Sequence, residues 1–158
     1  MKRNQTFNPL QIAEVKLSYQ TKVKAADRPK IASSADAAKI IKQWWDRDKI
    51  EFVEEFKILM LNRANKVLGI STISTGGISG TVADPKVIFS TALKANASAI
   101  ILAHNHPSGN LCPSEADERL TKKVVAGGKL LEIAVLDHLI ITKDHYCSLA
   151  DENKMNIF

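Results

Sequence analysis

The apolar run Ala97-Ser98-Ala99-Ile100-Ile101-Leu102-Ala103 leads directly into His104-Asn105-His106-Pro107-Ser108-Gly109. No other junction constrains the fold as much. The run is long enough for a buried strand. Side chains alternate faces along a strand, so His104 and His106 point the same way at its C-terminal end. Pro107, Gly109 and Pro113 then punctuate a loop. Ser114-Glu115-Ala116-Asp117 opens a predicted helix that runs to Gly127-Gly128, where the glycines read as a stop. Across that loop the Asp117 carboxylate can return to the two imidazoles. Two histidines and one carboxylate are the donor set of a catalytic zinc with its fourth position open to water. A metal so held generates a nucleophile near neutral pH.

The same residues carry a simpler reading. Ser114-x-x-Asp117 matches a capping box, in which the two side chains satisfy free backbone N–H groups. Ser114 can serve both purposes, capping the helix while its hydroxyl faces the site.

His104-x-His106-Pro107 followed by Ser114-x-x-Asp117 resembles the JAMM (MPN+) motif of zinc isopeptidases. The wording His-Asn-His-Pro-Ser-Gly, with Pro113-Ser114 and the later Leu136-Asp137-His138-Leu139-Ile140, resembles the RadC branch of that superfamily. The resemblance covers roughly residues 50–149. It implies an α/β, cytidine-deaminase-like MPN/JAB fold with a mixed central sheet flanked by helices. It implies one zinc per chain on His104, His106 and Asp117, in a metallopeptidase-type site. Ser114 matches the family serine that supports the tetrahedral intermediate. The family also carries a glutamate on an earlier strand, and in Val53-Glu54-Glu55-Phe56 the resemblance selects Glu54, two residues before the aromatic. Its role is to take a proton from the attacking water and pass it to the leaving amine.

Alternation alone does not separate Glu54 from Glu55. Positions 54, 56, 58 and 60 share one face and 55, 57, 59 and 61 the other, and both turn apolar further along. Lys57 beside Glu55 suggests that the odd face is wet at this end, which turns Glu54 inward.

The chain departs from the eukaryotic isopeptidases. Asn105 stands where they carry Ser or Thr, and no ubiquitin-contacting insertion is recognisable, so a ubiquitin substrate is not implied. No helix-hairpin-helix region like that of long RadC chains is expected from these residues, which weakens a DNA-repair reading. Asp137-His138 falls between two predicted strands. It either orients a metal ligand or forms a hydrogen-bonded strand-junction pair.

A chain of 158 residues, 45% apolar and 25% charged, suits one globular domain with a proper core. Residues 1–49 read as a strand and a helix packing on the domain, 50–150 as the metal-binding domain, and 151–158 as a tail. Val15, Leu17 and Tyr19 alternate as a first strand. Ser33 caps a helix with Asp36, and Ala37, Ile40, Ile41, Trp44 and Trp45 share its face, with the tryptophans as core or as a partner stripe. Strands 56–61 and 67–73 flank a hairpin turn at Asn62-Arg63-Ala64-Asn65. Asp84-Pro85 starts a helix that Asn96 closes. Strands follow at 133–136 and 139–142, and His145 reads as a surface turn residue. The first eight and last five residues are expected to fray.

No apolar run approaches the roughly 20 residues that span a membrane, and no secretory signal is expected. Cys112 and Cys147 suggest no disulfide framework, so the expected compartment is the cytoplasm. Cys112, next to the metal loop, is either a packing residue or a soft ligand. The net charge of +5 concentrates at Lys22, Lys24, Arg28 and Lys30. That cluster either attracts nucleic-acid phosphates or is a solvated surface, and it lacks the interleaved aromatics of single-strand binders.

Other metal chemistries fail on spacing. There is no His-Glu-x-x-His helix and no Pro-Cys-x-x-Cys pair for nucleobase deamination. The expected function is a zinc-dependent hydrolase acting on an amide or isopeptide bond, with a peptide or protein substrate. The alternative is a nucleic-acid-associated module whose metal site is structural or serves another reaction.

Overall fold

The computed structural model describes residues 23–78 and 80–155. The expected first strand at Val15–Tyr19, the first eight residues and Lys22 of the basic cluster lie outside them. A short 3-10 turn, Ala25–Asp27, precedes α1 (Ser34–Gln43), β1 (Glu55–Leu61), β2 (Val67–Thr75), α2 (Pro85–Lys94), β3 (Ala99–Asn105), α3 (Glu115–Leu131), β4 (Ala134–Ile141) and β5 (Tyr146–Ser148). The strands form one mixed sheet in the order β2-β1-β3-β4-β5. β1 runs antiparallel to β2 and β3, β3 parallel to β4, and β4 antiparallel to β5. The parallel pair requires a crossover, which α3 supplies.

Local chemistry sets these boundaries. Asn62 turns the β1–β2 hairpin by accepting from the Ala64 and Lys66 amides, and Asn65 takes the left-handed conformation at φ 56°. Ser33 caps α1 by accepting from the Asp36 amide, and Asp84 caps α2 by accepting from Lys86. Asn96, at φ 54°, follows the end of α2.

Period-two alternation divides the core into two layers. Leu59, Leu61, Ile101, Ala103, Leu139 and Ile141 face α1, where Ala37, Ala38, Ile41 and Trp45 cover them. Phe56, Ile58, Met60, Ile100 and Leu102 face α2 and α3, against Ile88, Phe89, Ala92 and Val124. Among the described residues, no helix is long and apolar enough to cross a membrane.

Five expectations are corrected. First, α3 does not stop at Gly127-Gly128. It continues to Leu131 and closes on Glu132 at φ 57°. The glycines answer to packing: a Cβ on Gly127 would sit 2.7 Å from the Phe89 ring, and one on Gly128 2.4 Å from the Ile133 carbonyl. Gly128→Ala is therefore expected to destabilise by about 1–3 kcal/mol through overpacking. That outweighs a helix-propensity gain of roughly 0.8–1 kcal/mol. Thermal unfolding checks this, and an unchanged or raised midpoint would show that α3 and β4 are not so closely apposed.

Second, the two tryptophans part. Trp44 is the cap residue of α1 and is 67% exposed, whereas Trp45 is buried. Third, the odd face of β1 is not wet. Lys57 and Glu55 are both buried, with Lys57 Nζ 3.0 Å from Glu55 Oε2, 2.8 Å from Thr72 Oγ1 and 4.8 Å from the Trp45 ring centre. The lysine ammonium thus stands over the Trp45 ring in a cation–π contact and is paired with Glu55.

Fourth, the two strands expected at 133–136 and 139–142 are one. Ile100 pairs with Val135 and Ile101 with Asp137, so Leu136 is an extra residue that β4 absorbs as a bulge. Asp137 and His138 thus lie inside a strand. Fifth, Lys154, the first of the five residues expected to fray, is tied down, since its amide bonds to the Leu149 carbonyl. β5 was not anticipated, and His145 occupies the exposed turn before it.

Candidate metal centre

His104 sits near the end of β3 on the α3 side, and His106 lies just past it. Phe56, paired opposite His104 on β1, stacks its ring nearly parallel to the imidazole at 6.1 Å between centres. The His106 amide bonds to the Ile141 carbonyl, which extends the pairing with β4 by one step. Gly109, at φ 79°, turns the loop back. Asp117 occupies the first turn of α3.

These elements bring His104, His106 and Asp117 together. The two Nε2 atoms are 2.9 Å apart, His104 Nε2 is 3.3 Å from Asp117 Oδ1, and His106 Nε2 is 3.8 Å from Asp117 Oδ2. Ligands about 2.0–2.1 Å from a tetrahedral ion lie roughly 3.3 Å from one another, so the spacing fits. Proton placement fits as well. His106 Nδ1 is 2.7 Å from the Asn110 carbonyl, which can only accept, so Nδ1 carries hydrogen and the Nε2 electron pair of a neutral imidazole faces the cluster. Electron-pair donors converge here, and the three residues could hold a metal ion.

The electrostatics agree. Burial alone would raise the Asp117 carboxyl, but the two imidazoles that crowd it outweigh burial and hold the group far below the usual carboxylate range. The hydrogen bond to Asp117 raises the His106 pKa, and the Glu54 charge adds to that.

Ser114 is the cap residue of α3 and completes a full capping box with Asp117. Its amide and hydroxyl both donate to Asp117 Oδ2, at 2.7 and 2.6 Å, while its Oγ accepts from the Asp117 amide. Glu54 precedes β1, its amide and carbonyl bonded to Gly77 and Gly76. It is half-buried and lines a cavity of about 540 Å³ together with Thr81, His106, Asn110, Ser114 and Asp117. Glu55 points to the opposite face of the sheet. Cys112 is exposed, lies on the rim of the same cavity and is not part of the three-residue cluster.

Two contributions were not anticipated from the sequence. Asn105, between the histidines, faces the α1 side and is fully buried. Its Nδ2 donates to the Ile50 and Val53 carbonyls and its Oδ1 accepts from the Glu55 amide. It thus grips the backbone on both sides of Glu54. The signal was available, because a residue between two same-facing strand positions must face the other way. The second is Thr121, one helical turn beyond Asp117, whose hydroxyl lies between the Asp117 carbonyl and His138. His138 in turn contacts His104, with Nε2 2.8 Å from His104 Nδ1, and burial holds its pKa well below the ordinary value. Asp137 turns away from the cluster. It accepts from Ser148 Oγ and from the amides of His138 and Ala150, and burial raises its pKa.

The model of the RadC-like JAB domain matches residues 31–155. A UPF0758 protein of Flavobacterium johnsoniae is 48% identical over 99 residues, which are 63% of this chain and 43% of the relative. A UPF0758 protein of Thermosynechococcus vestitus is 42% identical over 125 residues, 79% of this chain and 47% of the relative. The chain therefore spans under half the length of these relatives. The mixed sheet with its flanking helices is the architecture of a JAB/MPN fold, and with a family match across most of its length, this chain belongs to the RadC-like JAB domain family.

Proposed function

We propose that this domain is a metal-dependent hydrolase of the JAMM/RadC type that cleaves an amide or isopeptide bond in a peptide or protein. The observation that carries this is the convergence of His104, His106 and Asp117 on one point, with the Glu54 carboxylate on the same cavity. Zinc suits this donor set, and when bound it would polarise a carbonyl and make water acidic enough to react near neutral pH. Glu54 takes a proton from the attacking water as the water oxygen bonds to the carbonyl carbon. As the carbon–nitrogen bond breaks, Glu54 returns that proton to the departing amine. Asn105 holds the segment that carries Glu54.

The Ser114 hydroxyl rests on Asp117 and turns toward the developing oxyanion. Ser114→Ala is expected to keep the metal and the fold while slowing turnover by about 10²–10³. The lost cap should lower stability by about 1 kcal/mol. Full activity on an identified substrate, with reduced stability, would leave Ser114 as a cap only.

The alternative of a nucleic-acid module rests on the basic cluster. Among its described members, Lys30 pairs with Lys66 beside the start of β2, at the end of the sheet away from Glu55 and His104. Among the described residues, no Lys or Arg lines the candidate cavity. Both observations favour an uncharged acyl substrate over a phosphodiester. The two free cysteines accord with a reducing compartment such as the cytoplasm. The deciding experiment is a peptide and isopeptide library incubated with the zinc-loaded chain, with and without chelator. Metal-dependent cleavage supports the hydrolase. Salt-dependent DNA affinity that survives metal removal, with no cleavage, supports the module.

A further inference from the structure

We propose that Thr121 and His138 form a one-directional hydrogen-bond relay that fixes His104 in the tautomer whose Nε2 is free to bind a metal. The proposal rests on the reading of His104, His106 and Asp117 as a metal site, though not on hydrolysis. The resemblance offers Asp137-His138 only as a pair that could orient a ligand; Thr121, the order of the hydrogen bonds and the tautomer come from the structure.

The argument is a count of protons. The Asp117 backbone carbonyl is a pure acceptor and lies 2.6 Å from Thr121 Oγ1, so the single hydroxyl proton of Thr121 goes there. His138 Nδ1 is also 2.6 Å from Thr121 Oγ1, and a hydroxyl that has spent its proton can only accept. His138 Nδ1 must therefore carry hydrogen. A neutral imidazole with hydrogen on Nδ1 has a bare Nε2, and that atom lies 2.8 Å from His104 Nδ1. His104 Nδ1 must then be the donor, which leaves its Nε2 with an electron pair directed at His106 and Asp117.

The relay needs His138 to stay neutral. Doubly protonated, His138 would donate to His104 Nδ1 and force hydrogen onto the wrong nitrogen. His138 is fully buried, touches the Phe56 ring edge-on at 5.5 Å, and its two ring nitrogens are taken up by Thr121 and His104. The relay also closes on itself. It begins at the backbone of Asp117, whose side chain is the third ligand, and ends at His104. One residue each from α3, β4 and β3 thus fixes the electronic state of the site, while His106 is fixed separately by the Asn110 carbonyl.

Two measurements on the full chain test this. In the first, imidazole nitrogen shifts of the metal-free protein at mildly alkaline pH report each tautomer. Hydrogen on Nδ1 of both His104 and His138 is expected, and hydrogen on His104 Nε2 would overturn the proposal. In the second, zinc affinity is read by competition with a chromophoric chelator. Thr121→Val should weaken binding by about 10–100-fold, the usual effect of removing a group that orients a ligand. Thr121→Ser should restore it, because the hydroxyl returns. A Thr121→Val affinity equal to the parent's would overturn the relay, as would a Thr121→Ser affinity as weak as that of Thr121→Val. His138→Phe removes the acceptor altogether and should weaken zinc at least as much as Thr121→Val. If that variant does not fold, the Thr121 pair decides. If the parent chain binds no zinc, the metal-site reading fails, while the tautomer of the metal-free protein still decides the relay.

Discussion

Glu54→Gln is expected to retain the metal and lose turnover, by about 10²–10⁴ on an identified amide substrate, the contribution of a positioned general base. The exchange keeps size and hydrogen-bonding capacity but removes the basic carboxylate. Glu54 is outside the three-residue donor cluster, so zinc content should match that of the parent. Asn105 grips the backbone at Val53 and Glu55, so the amide should occupy the same place as the carboxylate. Glu55→Gln is the control and behaves in the opposite way. Its carboxylate is paired with Lys57 on the far face of the sheet, away from the cavity. Chemistry should survive, and stability should fall by about 3–5 kcal/mol because a buried lysine loses its counter-charge. Parallel kinetics and calorimetry separate the two variants. Parent-like turnover in Glu54→Gln, or its loss in Glu55→Gln with the fold intact, would move the base to the neighbouring residue.

Alanine at His104, His106 or Asp117 should each reduce zinc from one per chain to a small fraction, as read by metal analysis after dialysis. Full occupancy in all three would remove the assignment. The far-UV circular dichroism of the wild-type chain should persist on chelation. Both core layers are built from side chains that do not depend on the ion, so a bound metal should stabilise the strand–loop–helix unit only locally. Global unfolding on chelation would make the metal structural. Acidity should oppose binding. Because the Asp117 contact raises the His106 pKa, a proton persists on that imidazole to higher pH than on an ordinary histidine. In the metal-free protein that proton contributes stability below the unfolded pKa, and the contribution is lost as pH rises through the folded value. Metal must expel the proton, so zinc affinity should climb with pH across the same interval.

What could be read from the residues was local. Alternation set His104 and His106 on one face, and the capping box marked where α3 begins. Contacts at long separation could not be read in the same way. Lys57 looks like a solvent residue until the segment after α1 places the Trp45 ring against its ammonium. Gly127 and Gly128 look like a helix stop, because a helix end and a close approach require the same missing side chain. The bulge at Leu136 hid the continuity of β4, and so the place of His138 beside His104. The cavity-facing place of Glu54 could not be read from pattern, since two adjacent glutamates at a strand edge are symmetrical and differ only in what the folded sheet puts beneath each.

The back-to-back arrangement of His104, Asn105 and His106 also limits how such a chain can change in length. The histidines serve one face of β3 and the asparagine serves the other, so one peptide of three residues feeds both the candidate metal cluster and the backbone that carries Glu54. Adding or deleting a single residue within it would exchange the faces. An imidazole would be driven toward α1, and the grip on Val53 and Glu55 would be released in the same event. The tripeptide is therefore indivisible with respect to insertion. Length variation next to this site is confined to the loop beyond Pro107, and the two halves of the chemistry are kept or lost together.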